Sequence, residues 1–359
     1  MVGKRKMRKR ITVLSLTLLI IMFLTPTIFA DTIDLNLEKA YQMTLEDNIS
    51  LKIAQKNLDN KEIQYKKSNA QNLLNQSNYS EISAEYNLMA AKKNYIDTAN
   101  NLLKQTLQQY GNILTTEKNI ETYKKQITLN KKLLDEVEAQ YNVGEKSQLD
   151  ILEQQIKLND FIQEKNQLEN DYEQLKTKFK QQLGLNREAS INLIELSEPE
   201  YINLSEEEIL NSALNNNLNS KLYELNLQLA QIDYKKKEVV SSSEMDINIA
   251  ENMVEIAEFK IEKHEQDIKN QARDLYNQIN NIKSNIELLK DKIKQSNDTY
   301  DILKEQNKSG LITENDLYQG EISVLQSNLQ LYNAYINYYL QKQSIEQFIN
   351  PGAGVLKDE

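Results

Sequence analysis

Apolar residues recur every seven positions over long stretches of this chain, with polar residues between them. One run spans residues 113–141 and consists of Ile113, Ile120, Ile127, Leu134 and Tyr141. A second run, over 261–293, consists of Ile261, Ile268, Leu275, Ile282 and Leu289, with Ile279, Ile286 and Ile293 interleaved. A sustained seven-residue spacing is typical of long helices that pack as coiled coils. No segment alternates cleanly between apolar and polar residues, so the pattern predicts an all-α fold with little or no β-strand.

The pattern also occurs twice. Residues of the first half recur 169 positions later: Leu35, Leu45, Asn48, Lys52, Leu58, Ile63, Tyr65 and Lys66 match Leu204, Leu214, Asn217, Lys221, Leu227, Ile232, Tyr234 and Lys235. Further on, Gly144, Asp150, Ile156 and Tyr172 match Gly310, Asp316, Ile322 and Tyr338 at an offset of 166. Such a period is too long for a solenoid repeat and indicates duplication of a whole structural half.

Each half is predicted to contain four helices: a short one, a second one, a very long one and a return helix. The predicted ranges are about 36–47, 49 to the low 70s, the mid-80s to 142 and 147–183, then 205–216, 218–239, 246–307 and 313–349. At 1.5 Å per residue, the first long helix measures roughly 85–90 Å, and the second and fourth helices together match it. We therefore expect each half to be a two-stranded helical rod whose flanking apolar residues favour self-association.

The sequence divides into four predicted segments. Residues 1–30 combine a basic start with an apolar run over 11–24 and form a signal peptide or, if uncleaved, an N-terminal anchor. The first helical repeat covers 31–198, the second covers 199–349, and 350–359 form a flexible tail. Prolines occur only at 26, 199 and 351, outside the predicted helix interiors, where proline costs about 3 kcal/mol.

Composition narrows the possible functions. The chain has no cysteine, so an exported form has no disulfide framework. Without residues 1–30, 37 basic and 53 acidic side chains remain, a net charge of −16. This balance argues against nucleic acid and anionic membrane surfaces as partners.

A glycine turn is predicted between the long helix and the return helix of each half. Glycine just past a helix end adopts the left-handed conformation that closes the last turn. A hydroxyl residue with an acidic residue three positions later can then cap the next helix and favour its dipole. The residues concerned are Gly144, Ser147 and Asp150 in the first half, and Gly310, Thr313 and Asp316 in the second.

The duplicated order of these elements resembles the TolC-type outer membrane efflux protein family over about residues 35–349. Residues 35–48 (LNLEKAYQMTLEDN) resemble the first-helix pattern of the family, and residues 141–150 (YNVGEKSQLD) resemble its periplasmic tip. Residues 182–185 (QLGL) resemble the end of the family's repeat. The resemblance implies an α-barrel-type assembly of duplicated long coiled-coil hairpins, in which a homotrimer encloses a tube of twelve helical strands.

It also implies partners and site residues. The tube would dock onto a membrane-fusion (adaptor) protein that works with an inner-membrane transporter of ABC or RND type. The docking residues would be Val143, Gly144, Glu145, Ser309, Gly310 and Leu311. The family often has leucine after the glycine, which Leu311 fits and Glu145 does not. Asp150 and Asp316 would face a narrow entrance, where a trimer presents six carboxylates, in addition to capping their helices.

One feature of the family is missing from the sequence. Its members insert two β-strands per half between the second and long helices, and these build an outer-membrane barrel. The corresponding segments here, 68–84 and 239–246, are polar and lack ten residues of alternating character, so they are predicted to be polar turns or ends of helical hairpins. We expect a relative without the barrel. It would be exported to the cell envelope: the outer membrane or periplasm of a two-membrane cell, or the extracytoplasmic face or wall of a one-membrane cell.

The sequence contains no catalytic, cofactor-binding or metal-binding pattern. The single histidine, His264, is predicted to lie exposed on a helix. Four tyrosines near the end of the last helix are predicted to serve in packing: Tyr332, Tyr335, Tyr338 and Tyr339. Two functions remain open: a helical conduit for efflux or secretion, or an exported coiled-coil spacer or scaffold without a through-channel.

Overall fold

The computed structural model describes residues 32–240, 243–353 and 355, and the predicted signal segment 1–30 lies outside them. The described residues form eight helices and two short strands. The first half comprises β1 (Ile33–Leu35), α1 (Leu37–Asp47), α2 (Ile49–Asn75), α3 (Asn78–Asn142), α4 (Gln148–Gln182) and β2 (Ile191–Leu193). The second half comprises α5 (Glu206–Asn216), α6 (Leu218–Val239), α7 (Glu244–Lys308) and α8 (Glu314–Ile349). The predicted all-α fold is confirmed.

Polar caps explain where these helices begin. Every one of the eight is preceded by an Asn, Ser or Thr whose side chain accepts a hydrogen bond from a backbone N–H in the first turn. Such caps satisfy donors that have no partner inside the helix, and each stabilises the helix by about 1 kcal/mol. The capping residues are Asn36, Asn48, Ser77, Ser147, Ser205, Asn217, Ser243 and Thr313.

The polar segment predicted between the second and long helices is shorter than expected. Helix α2 continues to Asn75 and α3 begins at Asn78, so most of 68–84 is helical. Gln76 adopts a left-handed conformation with φ of 47°, and Ser77 caps α3. In the second half, α6 ends at Val239 and α7 begins at Glu244. Of the two alternatives from the sequence, both segments are therefore ends of helical hairpins.

The long helices organise the packing. In the first half, α2 and α4 pack against different parts of α3, and in the second half α6 and α8 do the same along α7. Helix α3 also packs against α6 and α8, which joins the halves. The result is a layer four helices wide in which every neighbouring pair is antiparallel. At 1.5 Å per residue, the 65-residue helices α3 and α7 are each roughly 97 Å long.

The largest hydrophobic cluster lies partway along α3, where α1 and the two strands cover it. The strands pair in parallel, with Leu35 opposite Leu193. Tyr110 of α3 is fully buried in this cluster, and its hydroxyl contacts the carbonyl oxygens of Leu35 (2.9 Å) and Ile194 (2.5 Å). A second cluster lies where α5 packs on α7 and α8. The short helix of each half therefore covers the core of that half.

Tyrosines of α8 hold the linker between the halves. The Tyr332 hydroxyl accepts a hydrogen bond from the Leu196 N–H (3.1 Å), and the Tyr338 hydroxyl accepts one from the Ile202 N–H (2.8 Å). Both tyrosines are buried, as expected for packing residues. Burial raises the pKa of Tyr332 to about 12, so the hydroxyl remains neutral.

The segment after α8 runs back across the first half. The Asn100 side-chain amide donates to the Pro351 carbonyl (2.9 Å). Val355 is buried and packs against Leu51 and Ala99. These residues belong to the segment predicted to be a flexible tail, and in the described part they contact α2 and α3.

Candidate functional site

The first glycine turn closes the end of α3. Gly144 has φ of +82°, and its N–H donates to the Tyr141 carbonyl (3.0 Å). The Glu145 N–H donates to the Gln140 carbonyl (2.9 Å). This pair of bonds is a Schellman motif, which satisfies helix-end carbonyls and requires a left-handed residue at the position of the glycine.

The second turn repeats this geometry at the end of α7. Gly310 has φ of +70°, and its N–H donates to the Asn307 carbonyl (2.9 Å). The Leu311 N–H donates to the Gln306 carbonyl (2.9 Å). A Cβ added at either glycine would have no heavy atom within 4 Å among the described residues. The glycines are therefore needed for backbone conformation and not for close packing.

Both aspartates of the turns take part in complete capping boxes. The Asp150 carboxylate accepts from the Ser147 hydroxyl and N–H (both 2.7 Å), and the Asp150 N–H donates back to the hydroxyl (3.3 Å). Asp316 and Thr313 make the same three contacts at 2.7, 2.9 and 3.2 Å. These donors, the hydroxyl first, hold the pKa of both carboxyls below the usual value. Both carboxylates are therefore charged at neutral pH.

The two turns lie at the same end of the layer, here called the glycine end. Close to it, α3 and α8 are joined by an ion pair between Lys132 and Glu314 (2.6 Å). The Asn315 amide donates to the Glu136 carboxylate (2.5 Å). The lysine also lies over the Tyr318 ring, 4.4 Å from its centroid. The sequence does not reveal these contacts, because they depend on the register between residues about 180 positions apart.

Apolar side chains are exposed at the glycine end. Val143 is 71% exposed and Leu311 is 75% exposed. Leu311 and Ile302 line a shallow groove of about 440 Å³ together with polar residues of α7. The sequence did not predict Ile302 as a site residue, because it belongs neither to the glycine turn nor to the seven-residue apolar pattern. Its position beside Leu311 is visible only in the structure.

The layer also has two free edges. One consists of α2 and α4 and the other of α7, and each carries exposed apolar side chains. On the first edge these residues are Ile49, Ile53, Ile63, Leu73, Leu149, Leu152 and Ile156. On the second edge they are Met245, Ile249, Met253, Ile256, Phe259, Leu288 and Ile302. Exposed apolar residues in rows of this length usually mark contact surfaces.

His264 differs from its prediction as an exposed residue. It is half-buried, 3.1 Å from the Asn217 side-chain oxygen, and its ring centroid lies 4.9 Å from that of Tyr223. Burial lowers its pKa. The described residues contain no cluster of three or more metal-ligating side chains. Among the described helices, none combines the length and apolar character needed to cross a bilayer.

Comparison with known proteins gives matches in structure only. No protein-family model matches the sequence, and no curated protein matches it. Among solved structures, the outer membrane protein VceC of Vibrio cholerae superposes with a TM-score of 0.63 at 12% identity, covering 89% of this chain and 97% of that one. The CmeC outer membrane channel of Campylobacter jejuni gives 0.61 at 12% identity, covering 90% and 87%. The open state of the MtrE outer membrane channel of Neisseria gonorrhoeae gives 0.54 at 13% identity, covering 90% of each.

These likenesses confirm, at the level of the fold, the resemblance to TolC-type proteins seen in the sequence. They extend over nearly all of the described chain. The fold brings the two glycine turns together at one end, with Asp150 and Asp316 beside them; their docking and entrance roles stay predictions from the sequence.

Proposed function

We propose that this chain, which has the fold of TolC-type outer membrane channels, associates as a homotrimer into a hollow helical conduit for efflux or secretion. The observation that carries the proposal is the helical layer with two free apolar edges. Two of its fold neighbours, CmeC and MtrE, are outer membrane channels, and a third, VceC, is an outer membrane protein.

The edges are suited to pair with each other. The first edge runs away from the glycine end and α7 runs towards it, so joining them continues the antiparallel order of the layer. Ile63 and Ile256 each lie twelve residues from the end of their helices that is remote from the glycine turns. Both are thus at a height of roughly 18 Å from that end. Near the glycine end, Leu152 and Ile302 lie within two turns of the turn residues.

Pairing unlike edges is head-to-tail association, which either closes into a ring or continues as a filament. A four-helix layer repeated three times gives twelve helical strands, the number that the family resemblance implies. Closure then buries every edge and encloses a bore.

The ring can be tested by placing charge on an edge. Ile63→Glu or Ile256→Glu should shift the mature chain from trimer to monomer in native mass measurements, since each puts a carboxylate into a desolvated contact. Ile194→Glu is the matched control, because Ile194 is exposed in the linker and lies on neither edge. A trimer that survives both edge substitutions would refute this mode of closure.

The glycine end is the proposed docking site for an adaptor protein, which would link the conduit to an inner-membrane pump of ABC or RND type. Val143, Gly144 and Glu145 would contact it in the first half, and Ser309, Gly310 and Leu311 in the second. The exposure of Val143 and Leu311 supports this assignment. The residue after the glycine is the charged Glu145 in the first turn and the apolar Leu311 in the second. We therefore expect the second turn to contribute more binding energy.

Docking can be tested by co-purification with the adaptor. Leu311→Asp should lower adaptor recovery, whereas Ile194→Asp, in the exposed linker away from the turns and on neither free edge, should not. Equal recovery with both variants would remove the docking assignment.

The aspartates of the turns would line the entrance of the conduit. A ring of three copies brings six carboxylates, from Asp150 and Asp316, to one end, and each is held charged by its cap. Such a ring favours passage of cations over anions. In conductance measurements on the assembled conduit, Asp316→Asn should weaken this preference, and an unchanged preference would assign the carboxylates to capping alone.

We place the assembly in the cell envelope after export. The predicted signal segment and the outer membrane origin of the fold neighbours support this location. Detection of the chain in the cytoplasmic fraction of its native cells would contradict it.

A further inference from the structure

A cavity of about 580 Å³ lies between α1 and the end of α8, with α3 as its floor. We call it the α1–α8 cavity. Its apolar walls are Leu37, Leu103, Leu107 and Ile349. A volume of this size, with mostly apolar walls and a few polar groups, is typical of small-molecule sites.

Four polar side chains of the cavity already bind the surrounding backbone. The Asn100 and Gln347 amides donate to the carbonyls of Pro351 (2.9 Å) and Asn100 (3.1 Å). The Tyr339 hydroxyl donates to the Ser197 carbonyl (3.3 Å), and the Lys342 ammonium lies 3.5 Å from the Glu200 carbonyl. These groups hold the linker and the segment after α8 in place.

Three other polar groups of the lining have no such partner. Among the described residues, the buried Gln343 side-chain oxygen accepts no hydrogen bond, although buried polar atoms nearly always do. The Tyr41 hydroxyl makes none with the described residues, and the Glu346 carboxylate forms no ion pair with them. Burial first, and the nearby Glu346 charge second, raise the pKa of Tyr41, so this hydroxyl stays neutral close to the carboxylate.

The charge around the cavity is uneven. Glu346 is exposed at the mouth, while Lys342, the cation of the lining, contacts the linker. The unpartnered groups that face the cavity are therefore the Glu346 carboxylate and the Tyr41 hydroxyl, whose oxygen can accept a hydrogen bond, while the Gln343 oxygen is enclosed behind them. A complementary molecule offers an apolar body and a positively charged, hydrogen-bond-donating head.

We propose that the α1–α8 cavity binds a small amphipathic amine, with its apolar body against the leucines of α3 and its ammonium group near Glu346 and Tyr41. All walls come from one chain, and neither free edge contributes, so the site is independent of ring closure and of the conduit function.

A series of probes with one tail and three heads tests this. Octylammonium, octanol and octanoate should be titrated calorimetrically into the mature protein. Octylammonium should bind saturably and at least about fivefold more tightly than octanoate, with octanol between them. Equal affinities for the three heads, or no saturable binding of octylammonium, would overturn the proposal.

Variants then locate the binding. Glu346→Gln should weaken octylammonium by about two- to fivefold, the range for a solvent-exposed ion pair, and leave octanol unchanged. Glu255→Gln, on an exposed position of α7, is the matched control. An equal effect of both substitutions would place the amine elsewhere.

Filling the cavity gives an independent result. Leu103→Trp should abolish binding of both octylammonium and octanol while leaving the far-UV circular dichroism unchanged. The chain has no tryptophan, so the fluorescence of the new residue also reports whether it is enclosed. Retained binding in a folded variant with an enclosed tryptophan would contradict the site.

Discussion

Replacing Gly310 with valine tests why each turn at the glycine end contains a glycine. The backbone at Gly310 has φ of +70°, and a Cβ there would have no heavy atom within 4 Å among the described residues. A Cβ at this position therefore meets no neighbouring element, and the expected cost arises from the left-handed backbone conformation. That conformation costs a residue with a Cβ about 1–2 kcal/mol, and the β-branched side chain of valine places it at the upper limit.

The matched substitution is Gly310→Asn, because asparagine tolerates the left-handed region better than other residues with a Cβ. We expect Gly310→Val to lower the free energy of unfolding by about 2 kcal/mol and Gly310→Asn by clearly less. Urea unfolding followed by circular dichroism at 222 nm measures both. Gly144→Val should behave like Gly310→Val, since its φ of +82° and its open surroundings are equivalent.

The same variants separate folding from docking. Gly310→Val should reduce adaptor co-purification at a temperature where helicity is unchanged, because it alters the shape of the turn. If valine and asparagine destabilise the protein equally, the argument from backbone conformation is refuted. If Gly310→Val leaves co-purification intact, the turn does not dock the adaptor.

Three further substitutions test the packing and the caps. Tyr110→Phe should lower the free energy of unfolding by about 1–3 kcal/mol, because a buried carbonyl loses its donor, whereas Tyr141→Phe on the exposed end of α3 should have no effect in the same urea titration. Gly111→Ala should also destabilise the protein, because the new Cβ would lie 2.7 Å from the Ile336 side chain. Overpacking of this kind costs about 1–3 kcal/mol, from which the roughly 1 kcal/mol helix preference of alanine over glycine is subtracted. A variant that is stabilised in thermal unfolding would disprove this contact. The hydrogen bonds from the Ser147 hydroxyl and N–H hold the pKa of the Asp150 carboxyl in the folded protein below its ordinary value. Its contribution to stability is therefore present above about pH 4 and is lost as pH falls through the folded pKa. Asp150→Asn should flatten the thermal stability profile below about pH 4, and an unaltered profile would contradict the cap.

The helix boundaries on both sides of the two glycine turns were predictable from local sequence, because a capping pair and a left-handed glycine define them. Ser147 and Thr313 were each recognisable as caps from the acidic residue three positions later, and the structure has both capping boxes. Glycine marks the ends of α3 and α7, because the conformation at those positions needs it.

The connection between α2 and α3 could not be predicted in the same way. Its left-handed residue is Gln76 and not a glycine, so the turn carries no compositional signal. The serine and asparagine residues around it have low helix propensity, but packing of α2 against α3 outweighs that preference and extends both helices.

Contacts between the two halves could not be predicted from the sequence for a different reason. The pairing of Lys132 with Glu314, and the cavity between α1 and α8, depend on how the two repeats are placed side by side. A seven-residue pattern fixes which face of each helix is apolar, but it does not fix the register between helices from different repeats. The partial burial of His264 on α7 was missed because the pattern also leaves open the register between α6 and α7, which brings Asn217 and Tyr223 against this histidine.

The central claim, that three copies close into a hollow tube, is tested most directly by measuring the mass and shape of the mature chain in solution. Native mass spectrometry combined with negative-stain imaging should give three times the chain mass and rings or cylinders with a stained bore, at least about 97 Å long from the length of α3. A monomer, a dimer or a solid bundle without a bore would contradict the conduit and support a spacer or scaffold.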